Sequence, residues 1–382
     1  MKIFLRSLRL LASRPIYWGA IFAVPLFIML LLSSLMQNGI PSQVPSAVVD
    51  MDGSAMSRRL TNNLASMQMI DMQNNFGSYS EAKDAVQRGE IFGFFLIPEH
   101  YQSDLLGGKA PVISYYTNMS FYISGTMTYK AFTTMALMNK AGTVVSLAQS
   151  VGVDPGLATA MIQPIAIQTR GIGNPGTSYA IYLATSFVPC AIQLMIMLTV
   201  CFSMGQEIKR RTGPRLMAMA GDSPLRAVFL TILPQTLIWF VIIMFMESWL
   251  FRWQGYPMHG SWLWITVSEL LFVLACQGFA LFIFGLLPNL RLSLSACSLL
   301  GMLSFSLAAL SFPEQSMYIP IRMLSFLTPI RYNFLIYSDI ALNGRELFFS
   351  RWYFIMYIVY ILAPLLTIRR IGSAFRKPVY VP

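Results

Sequence analysis

The feature that most constrains this chain of 382 residues is the uneven spacing of its long apolar runs. One run lies near the N-terminus, a long and mostly polar stretch follows, and five further runs crowd the second half. Each run is close to the ~20 residues that a helix needs to cross a hydrocarbon core of ~30 Å. The spacing predicts six transmembrane helices with a separate domain inserted after the first. The six runs are Ile16–Met36, Ser178–Met204, Leu225–Leu250, Ser261–Leu287, Ser293–Phe312 and Trp352–Ile368.

The composition supports an integral membrane protein. Apolar residues make up 55% of the chain and charged residues only 11%, whereas a soluble domain carries about 25% charged residues. Basic residues precede the first run, as they do in a signal peptide. That run is too long for an ordinary signal sequence, however, and no small-residue cleavage site follows in Ser33–Gln43. We therefore expect an uncleaved membrane anchor.

The distribution of Lys and Arg predicts the orientation. With six spans, both termini lie on one side, and most basic residues of the short segments fall on that side. This predicts cytoplasmic termini and an outward-facing inserted domain. The net charge of +11 then reflects topology and contact with anionic lipid headgroups, and it gives no reason to expect a nucleic-acid partner. The basic residues of the inner side are Lys2, Arg6, Arg9, Arg14, Lys209, Arg210, Arg211, Arg215, Arg226, Arg291, Arg369, Arg370, Arg376 and Lys377.

The inserted stretch, residues 38–177, reads as an α/β domain. Short β-branched or apolar runs alternate with segments of helical periodicity and helix-capping residues. This alternation predicts a small domain with a largely parallel sheet. The remaining parts are then 1–37, a cytoplasmic segment with the first span, and 178–382, a five-helix transmembrane domain. The predicted strands are Val44–Val49, Met69–Gln73, Ile91–Ile97 and Pro111–Thr117.

The chain offers little for catalysis or for metal binding. His100 and His259 are its only histidines, and they lie in different predicted parts. Gly107-Gly108-Lys109 lacks the earlier glycine and the Ser or Thr of a phosphate-binding loop. We therefore expect a non-enzymatic chain with no cofactor and no ATP site of its own.

The connection between the second and third spans, residues 205–224, looks suited to docking. Basic and polar residues alternate there with Leu216, Met217 and Met219. A short helix would show these apolar side chains to the cytoplasm and fit a groove on a soluble partner. The alternative is a basic membrane anchor with no partner.

A resemblance starts from the same segment. Glu207-x-x-Arg210-x-Thr212 followed by Ser223-Pro224 resembles the Glu-x-x-Arg-Gly-Thr…Pro signature of ABC type-2 exporter permeases, with Arg211 where the family usually has Gly. The resemblance implies a coupling helix that contacts a separate ATPase subunit. The residues it assigns to ATPase docking are Glu207, Lys209, Arg210, Arg211, Thr212, Leu216, Met217, Met219 and Pro224.

Residues 312–350, between the fifth and sixth spans, are too apolar for a surface loop and too broken by proline for a span. Backbone of this kind is tolerated at membrane depth only where protein or a water-filled cavity covers it. We expect two short re-entrant helices on the outer side. The order of Pro313, Pro320, Pro329, Tyr332 and Gly344 resembles the same exporter family.

Membership of that family would imply a half-transporter. It would pair with a second copy or a close paralogue, and with two copies of an ATPase that binds ATP and Mg. A periplasmic adaptor protein would be a further partner to look for, besides the membrane lipids.

Polar residues within the spans predict a substrate path or gate. Glu269 lies well inside the fourth run, where a carboxylate is costly to keep without a use. The alternative is a structural hydrogen bond, for example to Gln277. Glu247 is closer to a span end, and we expect it at the headgroups. The candidate path residues are Glu269, Gln277, Gln193, Gln235, Pro313, Pro329 and Tyr332.

Together with the resemblance, these features predict the permease of an ATP-driven exporter in the inner membrane of a bacterium. The expected substrate is a hydrophobic or amphipathic small molecule of the drug-efflux type. A lipid or glycan exporter of the same family is the first alternative. An envelope-assembly or receptor protein without transport activity is the second. A secondary transporter would show repeated halves with broken helices, which the one-plus-five spacing lacks.

Overall fold

The computed structural model describes residues 2–35, 43–73, 76–150, 152, 154, 178–308 and 314–379. The chain divides into two compact units. One unit consists of Met1–Gln37 with Gly171–Pro382, and the other is Asn38–Arg170. Each unit has its own apolar core.

Six helices in the described residues are long and apolar enough to cross a membrane, which indicates a multi-pass membrane protein. They are called the first to sixth spans below, and they agree in number and order with the predicted runs. The second span continues beyond the predicted end at Met204, because helical hydrogen bonding outlasts the apolar run. The spans are Pro15–Ser34, Ala180–Lys209, Pro224–Trp253, Trp262–Leu286, Leu290–Leu307 and Leu347–Leu366.

The chain begins with α1 (Lys2–Ser13), an amphipathic helix that buries Ile3, Ser7 and Leu11. The first span follows as α2 (Pro15–Trp18), a π-helical turn and α3 (Val24–Leu35). Pro15 stands at the first helical position, where its missing N–H costs nothing.

The second unit, described over 43–150 with the gap at 74 and 75, contains a four-stranded sheet. Strand order is β2-β1-β3-β4; β1 is parallel to β2 and β3, and β4 is antiparallel to β3. Val48 on β1 packs in one apolar cluster and its neighbours Ala47 and Val49 in another, so both sheet faces are covered. The elements are β1 (Val44–Asp50), α4 (Ala55–Ala65), β2 (Ile70–Gln73), α5 (Tyr79–Arg88), β3 (Gly93–Ile97), α6 (Tyr101–Leu106), β4 (Ser114–Thr117) and α7 (Tyr122–Ser150).

The helices of the membrane unit follow after residue 178. Short helices connect the spans at two places, between the second and third and between the fifth and sixth. The elements are α8 (Tyr179–Lys209), α9 (Gly213–Met219), α10 (Pro224–Ser248) with a π-helical turn Trp249–Trp253, α11 (Trp262–Leu286), α12 (Leu290–Leu307), α13 (Ile319–Ser325), α14 (Pro329–Ile336) with a π-helical turn Tyr337–Leu342, α15 (Leu347–Leu362) and α16 (Ile368–Arg376).

The second and fourth spans form the centre of the membrane unit. About 67% and 72% of the residues in their most apolar stretches are buried. The corresponding shares are 28%, 28% and 22% for the first, fifth and sixth spans. Small residues allow close approach, as is usual between membrane helices. Gly278 of the fourth span lies directly against the backbone of Tyr360 in the sixth. The peripheral spans therefore keep wide apolar faces free within a single chain.

Candidate functional site

The second span ends in a tight turn built by Glu207 and Thr212. The Thr212 backbone N–H donates to the Glu207 carbonyl oxygen over 2.9 Å, and the Thr212 hydroxyl donates to Glu207 Oε2 over 2.6 Å. Arg211 lies between them with a φ of 54°. This left-handed conformation favours glycine, which gives a physical reason for the Gly in the signature that this segment resembles.

Glu207 also joins the turn to the N-terminal helix. Its Oε2 accepts a charge-assisted hydrogen bond of 2.9 Å from Nη2 of Arg6 on α1, and the side chain is buried. The sequence assigned Glu207 to contact with a partner, but the structure gives its carboxylate two partners within the chain. The buried carboxylate of Glu207 therefore links α1 to the end of α8.

The predicted exposure of Leu216 and Met217 is wrong. Their exposed fractions are 0% and 2%, and both belong to the core of the membrane unit. The reason is α16, which packs against α9 and contributes Phe375 to the same core. A Cβ placed on Gly213 would lie only 2.5 Å from the Phe375 carbonyl oxygen, so the two helices touch through their backbones.

The exposed surface of the 205–224 segment is basic. Lys209, Arg210 and Arg211 are exposed at the end of the second span, and Arg215 is exposed on α9. Arg376 of α16 pairs with Asp222 at 3.0 Å and fixes the end of the segment. Of the remaining predicted docking residues, Thr212, Met219 and Pro224 are half-buried.

In the 312–350 segment, α14 is buried and hydrogen-bonded to the central spans. Gln193 of the second span accepts a hydrogen bond from the Ile330 backbone N–H over 2.8 Å. Glu269 Oε1 of the fourth span accepts one from Asn333 Nδ2 over 2.8 Å. Pro329 starts the helix at its first position. Two predicted path residues, Gln193 and Glu269, therefore meet at α14.

The turn between α13 and α14 is fixed in a similar way. The hydroxyls of Tyr332 and of Tyr360 in the sixth span both donate to the Phe326 carbonyl oxygen, over 3.1 and 2.7 Å. The segment therefore contacts the second, fourth and sixth spans. Pro313, the other predicted path residue of this segment, lies outside the described residues.

One alternative proposed a hydrogen bond between Glu269 and Gln277, and the described structure does not contain it. Both residues lie on α11, and eight residues of helix separate them by about 12 Å. Gln277 instead accepts a hydrogen bond from the Thr236 hydroxyl of the third span over 2.7 Å. Gln235 is buried, and its side-chain amide has no hydrogen-bond partner among the described residues.

The expectation that Glu247 lies at the headgroups is also wrong. Its exposed fraction is 2%. The third span continues past it through the π-helical turn Trp249–Trp253, so the residue is not at the helix end. The prediction failed because the apolar run stopped earlier than the helix.

Sequence reasoning missed the ion cluster around Arg331. This guanidinium is 2% exposed, donates to Ser325 Oγ over 2.5 Å, pairs with Glu314, and lies over the Phe326 ring. Arg322 also pairs with Glu314, at 2.8 Å. Burial opposes ionisation of Glu314, but the two guanidiniums outweigh it and lower the pKa of that carboxyl. The sequence signal for this cluster was Arg331 itself, a basic residue between Ile330 and Tyr332.

A groove of about 740 Å³ opens between the first, second and fifth spans. Its walls are mainly apolar and include Tyr17, Leu198, Phe202 and Leu299, with Ser295 among the few polar groups. The groove lies on the faces that the peripheral first and fifth spans leave uncovered. It has the size and polarity of a site for a hydrophobic molecule.

Comparison with known proteins gives the family of the chain. A search of curated proteins found no match. Residues 16–368 match the family model described as ABC-2 family transporter protein. The match extends from the first span through the second unit and the 312–350 segment to the start of α16. ABC-2 membrane proteins in general work with an ABC ATPase. Because the match covers nearly the whole sequence, the chain belongs to the ABC-2 family of transporter proteins.

Proposed function

We propose that this chain is the permease subunit of an ATP-driven exporter in a bacterial inner membrane. It moves a hydrophobic or amphipathic small molecule outward, and a separate ATPase supplies the energy. Both termini face the cytoplasm, the 38–177 domain faces outward, and the two short helices of the 312–350 segment re-enter the membrane from outside. Two permease chains and two ATPase chains form the transporter.

The attachment of α9 supports this function most directly. It lies between the second and third spans, packs against α16, and touches α1. Through Glu207, the turn before it is also linked to Arg6. A force on the basic exposed side of α9 would therefore reach several helices of the membrane unit together. This is the mechanical property that a coupling helix needs.

The groove between the first, second and fifth spans supports the choice of substrate. Its walls suit a molecule that partitions from the lipid, and a second copy would close it into a route. Its lipid-like lining also fits the alternative, a lipid exporter of the same family. The two candidates differ in what the transporter moves.

Transport in membrane vesicles separates these candidates. Inverted vesicles from cells that contain the chain and its ATPase would receive Nile red or a fluorescent phospholipid, with and without ATP. ATP-dependent movement of Nile red supports the efflux function, and movement of the phospholipid alone supports the alternative. Movement of neither probe would contradict both.

The groove itself can be tested with a bulky substitution. Leu299→Trp places an indole in the groove and should lower ATP-dependent movement at least several-fold. Leu237→Trp, at a similarly exposed position of the third span, is the control and should leave transport unchanged. Equal transport by both variants would exclude the groove from the route.

A further inference from the structure

Two buried carboxyl groups of the membrane unit have no basic partner among the described residues. Glu247 in the third span and Glu269 in the fourth are each 2% exposed. The ion pairs of the described residues involve other carboxylates. Within an apolar helix bundle, an isolated carboxylate is strongly unfavourable because burial removes its hydration. These two groups therefore need a compensating proton or cation.

The polar atoms around the pair are also incompletely bonded. Oε2 of Glu247, Oε2 of Glu269 and the hydroxyl of Tyr337 are buried and lack a hydrogen-bond partner in the described part of the chain. Tyr337 is itself 2% exposed. An unpaired buried hydroxyl beside unpaired carboxyl oxygens indicates a site that is incomplete without a further ligand.

Helix geometry brings these groups together. Tyr337 follows Asn333 by one helical turn, so both side chains project to the same side, and Asn333 reaches Glu269 at 2.8 Å. The Tyr337 ring lies 5.5 Å from that of Phe251, which follows Glu247 by one turn. Tyr337 also interacts electrostatically with both carboxyl groups.

The ligand is best explained as a proton. No group of three or more His, Cys, Asp or Glu side chains in the described residues could hold a metal ion, and a proton requires no cavity. Two carboxyls in a low-dielectric site cannot readily both ionise, because their charges repel. A proton on one of them removes the repulsion and supplies a donor for an acceptor oxygen.

We propose that Glu247 and Glu269 form a buried proton-binding site that holds at least one exchangeable proton at neutral pH. Because Asn333 and Tyr337 belong to the helix of the 312–350 segment, occupancy of the site is linked to the position of α14. Proton binding is independent of which molecule the protein exports.

Other titratable groups face the pair from the neighbouring elements. Tyr256 precedes the fourth span and interacts with Tyr337. Tyr357 of the sixth span and Cys276 of the fourth interact with Glu269. A phenol or a thiol carries no positive charge in either of its protonation states, so these groups do not supply the missing counter-charge.

Infrared spectroscopy of the purified full chain in lipid nanodiscs tests the site. A protonated carboxyl gives a C=O band apart from the amide bands, and the band moves in D₂O. Wild type should show this band at neutral pH and lose it on alkaline titration. The double variant Glu247→Gln, Glu269→Gln should lack it, whereas Glu346→Gln, at an exposed carboxyl before the sixth span, should retain it.

Single variants test whether the pair acts as a unit. Glu247→Gln or Glu269→Gln should each move the titration midpoint of the remaining band, because each removes the like charge. Asn333→Leu removes a donor to the ionised carboxylate, so the band should survive to higher pH. A band absent from wild type, retained in the double variant, or unmoved by every single variant would overturn the proposal. Near-native thermal unfolding of the Gln variants would exclude misfolding as the cause of a lost band.

Discussion

At the scale of single residues, the signature between the second and third spans is a folding device. Glu207 and Thr212 close the turn with two hydrogen bonds, and Glu207 holds Arg6 at the same time. Sequence reasoning identified these positions from a resemblance and assigned Glu207 to docking, but it did not anticipate the bonds of this carboxylate within the chain. The partner of a buried carboxylate depends on which distant helix packs beside it, and local sequence does not specify that.

Replacing Arg211 with glycine should stabilise the protein. Arg211 has a φ of 54°, and a side chain in that region costs about 1 kcal/mol. Arg211→Gly should therefore raise the unfolding temperature in detergent. Arg210→Gly is the matched control, since Arg210 has a negative φ of −89°, and it should give no increase. An equal rise in both variants would contradict the explanation.

Glu314 should make the membrane unit sensitive to acid. Arg331 and Arg322 lower the pKa of Glu314 from its ordinary value of 4.5, although burial acts against them. The ion pairs of Glu314 stabilise the folded protein fully above pH 4.5, and this stabilisation is lost as the pH falls through the lowered pKa.

Glu314→Gln should cost about 1–3 kcal/mol at neutral pH, because Arg331 is left buried without a counter-charge. The penalty should shrink in acid, where wild type has lost the same charge. Thermal unfolding measured across the acid range would show this convergence. A penalty that does not change with pH would contradict the role of the charge, and Glu346→Gln serves as the exposed control.

At the scale of helices and strands, periodicity predicted much of what the structure contains. Apolar runs gave the six spans, and the helix-capping residues Ser78 and Gly89 mark the two ends of α5. The failures concern contacts between distant elements. The sequence pattern suggests that Leu216 and Met217 are exposed, but α16 covers them in the structure. A local pattern does not indicate which distant helix will pack on a surface.

Close packing between the fourth and sixth spans depends on Gly278. A Cβ at this position would collide with the Tyr360 backbone, which cannot rotate away as a side chain can. Gly278→Ala should therefore destabilise the protein by about 1–3 kcal/mol. Gly19→Ala in the first span, where a Cβ meets nothing within 4 Å, should have little effect on unfolding in detergent. Equal stability of the two variants would show that the spans pack differently.

At the scale of the whole molecule, an ABC-2 membrane unit carries an inserted unit with a mixed four-stranded sheet. The order of spans and insertions could be read from the sequence because it is set by composition over long windows. The polar contacts at α14 could not, because Gln193, Glu269 and Tyr360 come from three different spans. Gln193 and Glu269 could be singled out only as polar residues within their own runs, and Tyr360 was not singled out.

The central proposal is that a separate ATPase drives this permease through the exposed basic side of α9. The most direct measurement is ATP hydrolysis in complexes purified through a tag on the full-length chain. Vanadate-sensitive ATP hydrolysis should copurify with the wild-type chain. Arg215→Glu on α9 should lower it at least tenfold, whereas Arg291→Glu, an exposed arginine at the start of the fifth span, should retain it. Hydrolysis that is absent from wild type, or equal in the two charge-reversal variants, would contradict the proposal.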